Sequence, residues 1–360
     1  MSWYVADAID RSVERTRKCL LEPFDFWKWM KLAIIALLIG GSGFNGGSGS
    51  NYSFDESDMS SIPATPAGAT ETFQQIFGWA SANMFEIAFV LILLFIFFVL
   101  LFTYISSVME FVFVESLVKN DVRFWEYSRR YLGKGFGLLL LRLLIGLLVL
   151  AFMAAMILLF IYSAGGAAAL ESDIQASNVF LFLLMLFALI FVLAIVGGAI
   201  SSLVGLSIPV ALYTGNNIFR AFSMVLRKFR QDAGQIVLYW IGRIVLSIAA
   251  AIVVGILVLV IIAAAVLIVL VIDGSIYLAI TALLPGSIVV WIVLVPLIFI
   301  QLILFILAIA FVSMPAQVFL RYHLLTFLQA WYPEITIPVF DGFNGAGPAD
   351  AQVPVQDATL

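Results

Sequence analysis

The sequence predicts an all-α fold: a polytopic integral membrane bundle of six transmembrane helices with both termini in the cytoplasm. An interfacial amphipathic helix precedes the first span. Three observations carry this. Hydrophobic residues make up 64% of the 360 positions and charged ones 11%, against about 45–50% and about 25% in soluble domains. Long apolar runs recur along the chain, several exceeding the about 20 residues that cross about 30 Å of hydrocarbon at 1.5 Å per residue. Finally, all 18 Lys and Arg fall in alternate connections or at the span ends that adjoin them. A soluble enzyme, a disordered chain and a collagen-like fibre are excluded, because too few polar residues exist to cover a water-facing surface.

The first 23 residues hold a helix from Trp3 to Leu21 with Ile9, Val13 and Leu20 near one face. Asp10, Arg11, Glu14, Arg15, Arg17 and Lys18 cover the other, and Pro23 ends it. It is expected to lie along the inner headgroups. A short first span follows over 24–41, entered through Phe26, Trp27 and Trp29. The stretch ahead of it is too long for a signal-peptide n-region, so this span is read as uncleaved. Residues 42–82, rich in Gly, Ser, acids and Pro, read as a flexible extracellular loop. Asn51-Tyr52-Ser53 within it matches a glycosylation sequon.

Further spans are expected over 83–118, 135–163, 176–213, 234–272 and 285–325. The apolar segment 275–284 is too short to cross alone and reads as re-entrant, interfacial or a prelude to the sixth span. Residues 333–360 form an expected disordered cytoplasmic tail. A short echo links spans two, four and six: Ile105-Ser106-Ser107 with Ile200-Ser201-Ser202, Asn120-Asp121-Val122 with Asn216-Asn217-Ile218, and Ser207-x-Pro209 with Ser313-x-Pro315.

Orientation comes from the basic residues. Six stand before or at the entry of span one, and six between span two and the start of span three. Five more lie between span four and the start of span five, and Arg321 closes span six. The opposite connections carry only acids, such as Asp55, Glu56, Asp58, Glu71, Glu171, Asp173 and Asp273. The basic patches do not point to nucleic acid: net charge is −4, and the positive-inside rule accounts for them.

Ionisable residues inside a membrane are costly and face one another or a wet cavity. Glu110 and Glu115 lie at the inner end of span two, Arg142 and Arg243 about two turns inside spans three and five, and Arg321 at the end of span six. Together they could form one layer. It reads either as a cytoplasm-facing pocket for an anion or lipid headgroup, or as ion pairs and snorkelling stems that lock helices together. Pro209, Pro285, Pro296 and Pro315 could break spans as substrate sites do. His323 reads as exposed at the inner interface. One Cys, Cys19, and one His leave no disulfide and no zinc cluster. No phosphate-binding loop, dinucleotide fingerprint, metalloprotease motif or nucleophile elbow is present, so neither a catalytic residue nor a cofactor is assigned.

Several of these residues also carry a resemblance. Phe24-Asp25-Phe26-Trp27-Lys28-Trp29-Met30-Lys31-Leu32-Ala33 running into Gly40-Gly41, Phe113-Val114-Glu115-Ser116-Leu117 with Val122-Arg123, and Arg129-Arg130-Tyr131-Leu132-Gly133-Lys134-Gly135 resemble an uncharacterised archaeal multi-pass membrane family. So do Met314-Pro315 and Phe319-Leu320-Arg321-Tyr322-His323-Leu324-Leu325. The resemblance covers about residues 5–341 and implies a membrane bundle without assigned activity or ligand. It is distantly similar to the membrane portion accompanying some glycerophosphodiester phosphodiesterases; their catalytic barrel has no counterpart, so no hydrolase activity carries over. The expected function is a non-enzymatic multi-pass protein of the cell membrane that organises inner-leaflet lipids or membrane partners. The alternative is a transporter or channel for a small or lipid-like solute.

Overall fold

The computed structural model describes residues 4–40, 84–163, 176–284 and 289–342. Every regular element among them is an α-helix: α1 (Tyr4–Leu20), α2 (Phe26–Gly40), α3 (Met84–Lys119), α4 (Phe124–Ser163), α5 (Ala176–Tyr213), α6 (Ile218–Gln231), α7 (Ala233–Leu283) and α8 (Val289–Trp331). Five of them, α3, α4, α5, α7 and α8, are long and apolar enough to cross a membrane, as an integral membrane protein requires. At 1.5 Å per residue the 51 residues of α7 run about 76 Å. That is well beyond the about 40–45 Å of a bilayer with its headgroups.

The expected span over 24–41 changes character. α2 has 15 residues, about 22 Å, and is too short to cross. Its end is also placed low: Ser106 Oγ donates to Ile39 O at 2.6 Å, and α3 runs on for more than 20 residues beyond Ser106 towards Met84. The segment 275–284 is neither re-entrant nor part of the last span; it continues α7 to Leu283. Asp273, expected in an outer connection, lies inside that helix. α4 begins at Phe124 rather than at the expected 135, because hydropathy marks contact with lipid while the hydrogen-bond ladder extends into polar sequence. The loop 42–82 with Asn51, Pro285 and the tail from 343 lie outside the described residues.

Packing divides the molecule along its long axis. One half holds the core: α1 and α2, the last turns of α3, α5 and α8, the first turns of α4 and α7, and all of α6. All 18 basic residues belong to it. In the other half the helices present their side chains outward. On α3 every residue from 107 to 118 is buried, whereas every residue from 88 to 102 is exposed.

Helix termini tie the packed half together, because the last four carbonyls of a helix lack partners within it. Cys19 O of α1 accepts from Lys28 Nζ at 2.6 Å, and Leu20 O from Trp29 Nε1 at 2.7 Å. On α3, Leu117 O accepts from the Tyr322 hydroxyl at 2.9 Å, and Val118 O from the Phe340 N–H at 3.0 Å. Lys134 Nζ donates to Ala211 O of α5 at 2.8 Å. Asn120 ends α3 with a φ of 55°, the left-handed cap conformation that Asn tolerates. Gly135 lets α4 close on α3: a Cβ there would stand 2.4 Å from Val108 Cγ2 and 2.9 Å from Val108 Cα.

The echoed segments occupy corresponding places. Asn120-Asp121-Val122 links α3 to α4, and Asn216-Asn217-Ile218 links α5 to α6. The start of α4 packs back on α3, and α6 packs back on α5. α1, the first described helix, packs on α8, the last.

Candidate functional site

Three guanidinium groups gather where the packed half gives way to the exposed apolar helices. Arg142, on α4, reaches across to α3: Nη2 meets Glu110 Oε1 at 2.5 Å and Nη1 donates to Ser107 Oγ at 3.1 Å. The Glu110 side chain is 6% exposed and that of Arg142 26%, so the carboxylate is held inside while its partner reaches the edge. Arg243, on α7, donates to the Tyr239 hydroxyl one turn earlier at 2.7 Å. Arg321, on α8, places its guanidinium carbon 5.8 Å from the Phe113 ring centroid, within range for a cation–π attraction. Glu110, Arg142 and Arg243 all lie within electrostatic reach of it. All three arginines are partly exposed.

The structure thus brings four of the five sequence-derived residues together and separates the fifth. Glu115 is 3% exposed and faces other partners, Lys119 Nζ at 2.5 Å and the Tyr213 hydroxyl at 3.1 Å. Its charge is spent on Lys119, so the layer holds three cations against the single carboxylate of Glu110. An arginine already bonded through one edge keeps further N–H donors, since guanidinium carries five. Chemically the layer can receive an anion with several oxygens. Nothing in it resembles a nucleophile with its base, and among the described residues no three His, Cys, Asp or Glu side chains could share a metal.

A second polar cluster went unforeseen. Arg15, assigned above to the solvated face of α1, is 2% exposed. Its Nε and Nη2 bind Asp341 Oδ2 and Oδ1 at 2.6 and 3.1 Å, and its Nη1 donates to Thr326 Oγ1 at 2.8 Å and Gln329 Oε1 at 3.1 Å. Gln329 Nε2 then donates to Ile337 O at 3.0 Å. The helix turns Val13 outward, 53% exposed, and buries Ala8, Ser12, Arg15 and Cys19. The signal for this was the small residues at 8, 12 and 19, which share one helical face and let α1 approach α8 closely. The neighbouring Glu14–Lys18 pair is equally short, at 2.6 Å, but exposed, and such pairs contribute little.

The segment expected as disordered from Pro333 is ordered at its start, with Ile335, Ile337 and Val339 buried. Apolar residues at every second position line one face of this extended strap. His323 is buried too, stacked on Tyr239 with ring centroids 5.6 Å apart and planes 8° from parallel. Tyr239 in turn stacks on Phe327 at 4.1 Å. Pro209, Pro296 and Pro315 leave α5 and α8 continuous. Beside α6, a cleft of about 440 Å³ is lined by Arg220, Arg227 and Lys228 together with Tyr332 and Glu334.

A family model described as a family of unknown function, DUF7544, matches residues 3–337. No curated protein matches the chain, and no solved structure does. The chain belongs to the DUF7544 family, whose description assigns it no activity.

Proposed function

We propose that this DUF7544 member is a non-enzymatic multi-pass protein of the cell membrane that holds anionic headgroups of the inner leaflet and so organises lipids or membrane partners there. The arrangement of Arg142, Arg243 and Arg321 around Glu110 carries the reading. An excess of guanidinium charge stands at the boundary between exposed apolar helices and a packed basic half, the depth at which headgroups meet hydrocarbon. Attraction of cationic residues to an anionic leaflet is worth about 1 kcal/mol each near the surface. The basic wall of α6 adds to it.

In this reading the packed half faces the cytoplasm, both termini lie there, and α1 flanks the inner headgroups. The membrane is then crossed six times, with α2 at the entry of the first crossing and Met84 beginning α3 at the opposite end. The archaeal source and the kinship with the membrane portion of glycerophosphodiester phosphodiesterases rest on motif resemblance and belong to this proposal. The transporter or channel reading has less support, since Pro209, Pro296 and Pro315 do not break their helices.

Native mass spectrometry of the purified full-length chain, titrated with phosphatidylglycerol and with phosphatidylcholine, tests the proposal. Anionic lipid should be retained preferentially, and Arg243→Leu should weaken it about tenfold, the equivalent of about 1.4 kcal/mol for one charge-assisted hydrogen bond. Arg243 is the better variant because its loss orphans no carboxylate. Equal retention of both lipids, or an unchanged Arg243→Leu with intact helical melting, overturns it. Solute flux into protein-loaded liposomes would favour the transporter.

A further inference from the structure

Among the described residues, the apolar half contains one buried carboxyl group with no cation near it. Asp273 is 8% exposed. It is the only charged residue of α7 beyond Arg243, and α8 carries none from Val289 to Leu320. Facing it across the α7–α8 contact is Gln301, whose Nε2 donates to Asp273 Oδ1 at 2.8 Å. The other oxygens of the pair, Asp273 Oδ2 and Gln301 Oε1, are buried without a hydrogen-bond partner. The nearest titratable side chain on α7 is Tyr277, one turn on and 46% exposed. α8, the helix packed against Asp273, presents no titratable group there.

An ionised carboxylate only accepts hydrogen bonds, and a carboxamide oxygen only accepts. Two buried acceptors therefore remain with no donor between them, in a region where an isolated charge costs most. One proton resolves both deficits. Placed on Oδ2, it turns the carboxylate into a neutral acid whose O–H donates to Gln301 Oε1, while the amide N–H continues to donate to Oδ1. The two planar groups then form a ring of two reciprocal hydrogen bonds.

We propose that Asp273 and Gln301 form a proton-binding site, with the proton held on Asp273 Oδ2 and shared with Gln301 Oε1. The step is simple: one proton arrives from water, one O–H bond forms, no other bond breaks, and the charge of the pair falls from −1 to zero. The neutral pair joins α7 to α8 within the apolar half. This site is independent of the arginine layer.

Infrared spectroscopy of the full-length protein in lipid vesicles at neutral pH tests it. A protonated-carboxyl C=O band should be present, disappear in Asp273→Asn, and shift in Gln301→Leu as its hydrogen bond is lost. Asp273→Asn should also melt within a few degrees of the parent, because its amide can donate to Gln301 Oε1 and accept from Nε2. Should Asp273→Asn not fold, Gln301→Leu decides alone: a band that does not move overturns the proposal. Absence of any Asp273-dependent acid band overturns it, and so does stabilisation of the parent but not of Asp273→Asn by sodium or lithium ions, which would make this a cation site.

Discussion

Phe111 and Phe95 sit on the same helix, yet Phe111 is wholly buried and Phe95 is 68% exposed. The contrast holds for the two halves of the molecule at large. Residue type does not separate them, since both are rich in Phe, Leu, Ile and Val. What separates them is polar chemistry. The packed half contains Arg15, Ser107, Glu110, Glu115, Gln317, His323, Thr326 and Gln329, all buried, together with capped helix ends. The exposed half is almost purely apolar. Between lipid-solvated helices no hydrophobic force draws apolar faces together, because lipid tails are as apolar as leucine. Helices associate where hydrogen bonds, ion pairs and close backbone approach reward it.

Removing the joint between the chain ends is the strongest way to break this contrast. Arg15→Leu removes the guanidinium that binds the Asp341 carboxylate, Thr326 and Gln329, and should cost about 3–5 kcal/mol. Chemical denaturation in detergent, followed by helical signal, measures it; a loss below about 1 kcal/mol would show that the clamp behaves like an exposed pair. Two glycines on α4 then sharpen the comparison. Gly135→Ala drives a methyl into the Val108 backbone and should destabilise by about 1–3 kcal/mol. Gly146→Ala, where a Cβ would meet nothing within 4 Å, should stabilise by up to about 1 kcal/mol through helix propensity. Thermal melts of the two variants should move in opposite directions. Tyr322→Phe has the smallest expected effect, about 1 kcal/mol for the bond to Leu117 O, read as a modest fall in melting temperature without loss of helix.

Much of the architecture was readable as a pattern. The bounds of α3 and α5 follow the apolar runs closely, since apolar residues dominate each helix from end to end. The arginine layer was readable because charge in an apolar run is rare and a carboxylate on one helix invites a guanidinium on another. Other features lay beyond local pattern. Arg15 looked solvated because its neighbours Glu14, Arg17 and Lys18 are, and its partners stand more than 300 positions away. The strap over 333–342 looked disordered by composition, although alternate apolar side chains anchor it. Asp273 looked like a loop acid, because nothing nearby in the chain announces Gln301.

Residue composition and order were enough to say that the chain is helical, that it belongs in a bilayer, and that its basic residues collect at one end. Each follows from a quantity additive over residues, the cost of moving side chains or backbone groups from water into hydrocarbon. Which half packs, how far α2 rises and which buried polar groups meet emerged from the folded packing alone. Those outcomes depend on pairs of distant groups satisfying one another, and a pairwise term has no signature in either residue alone.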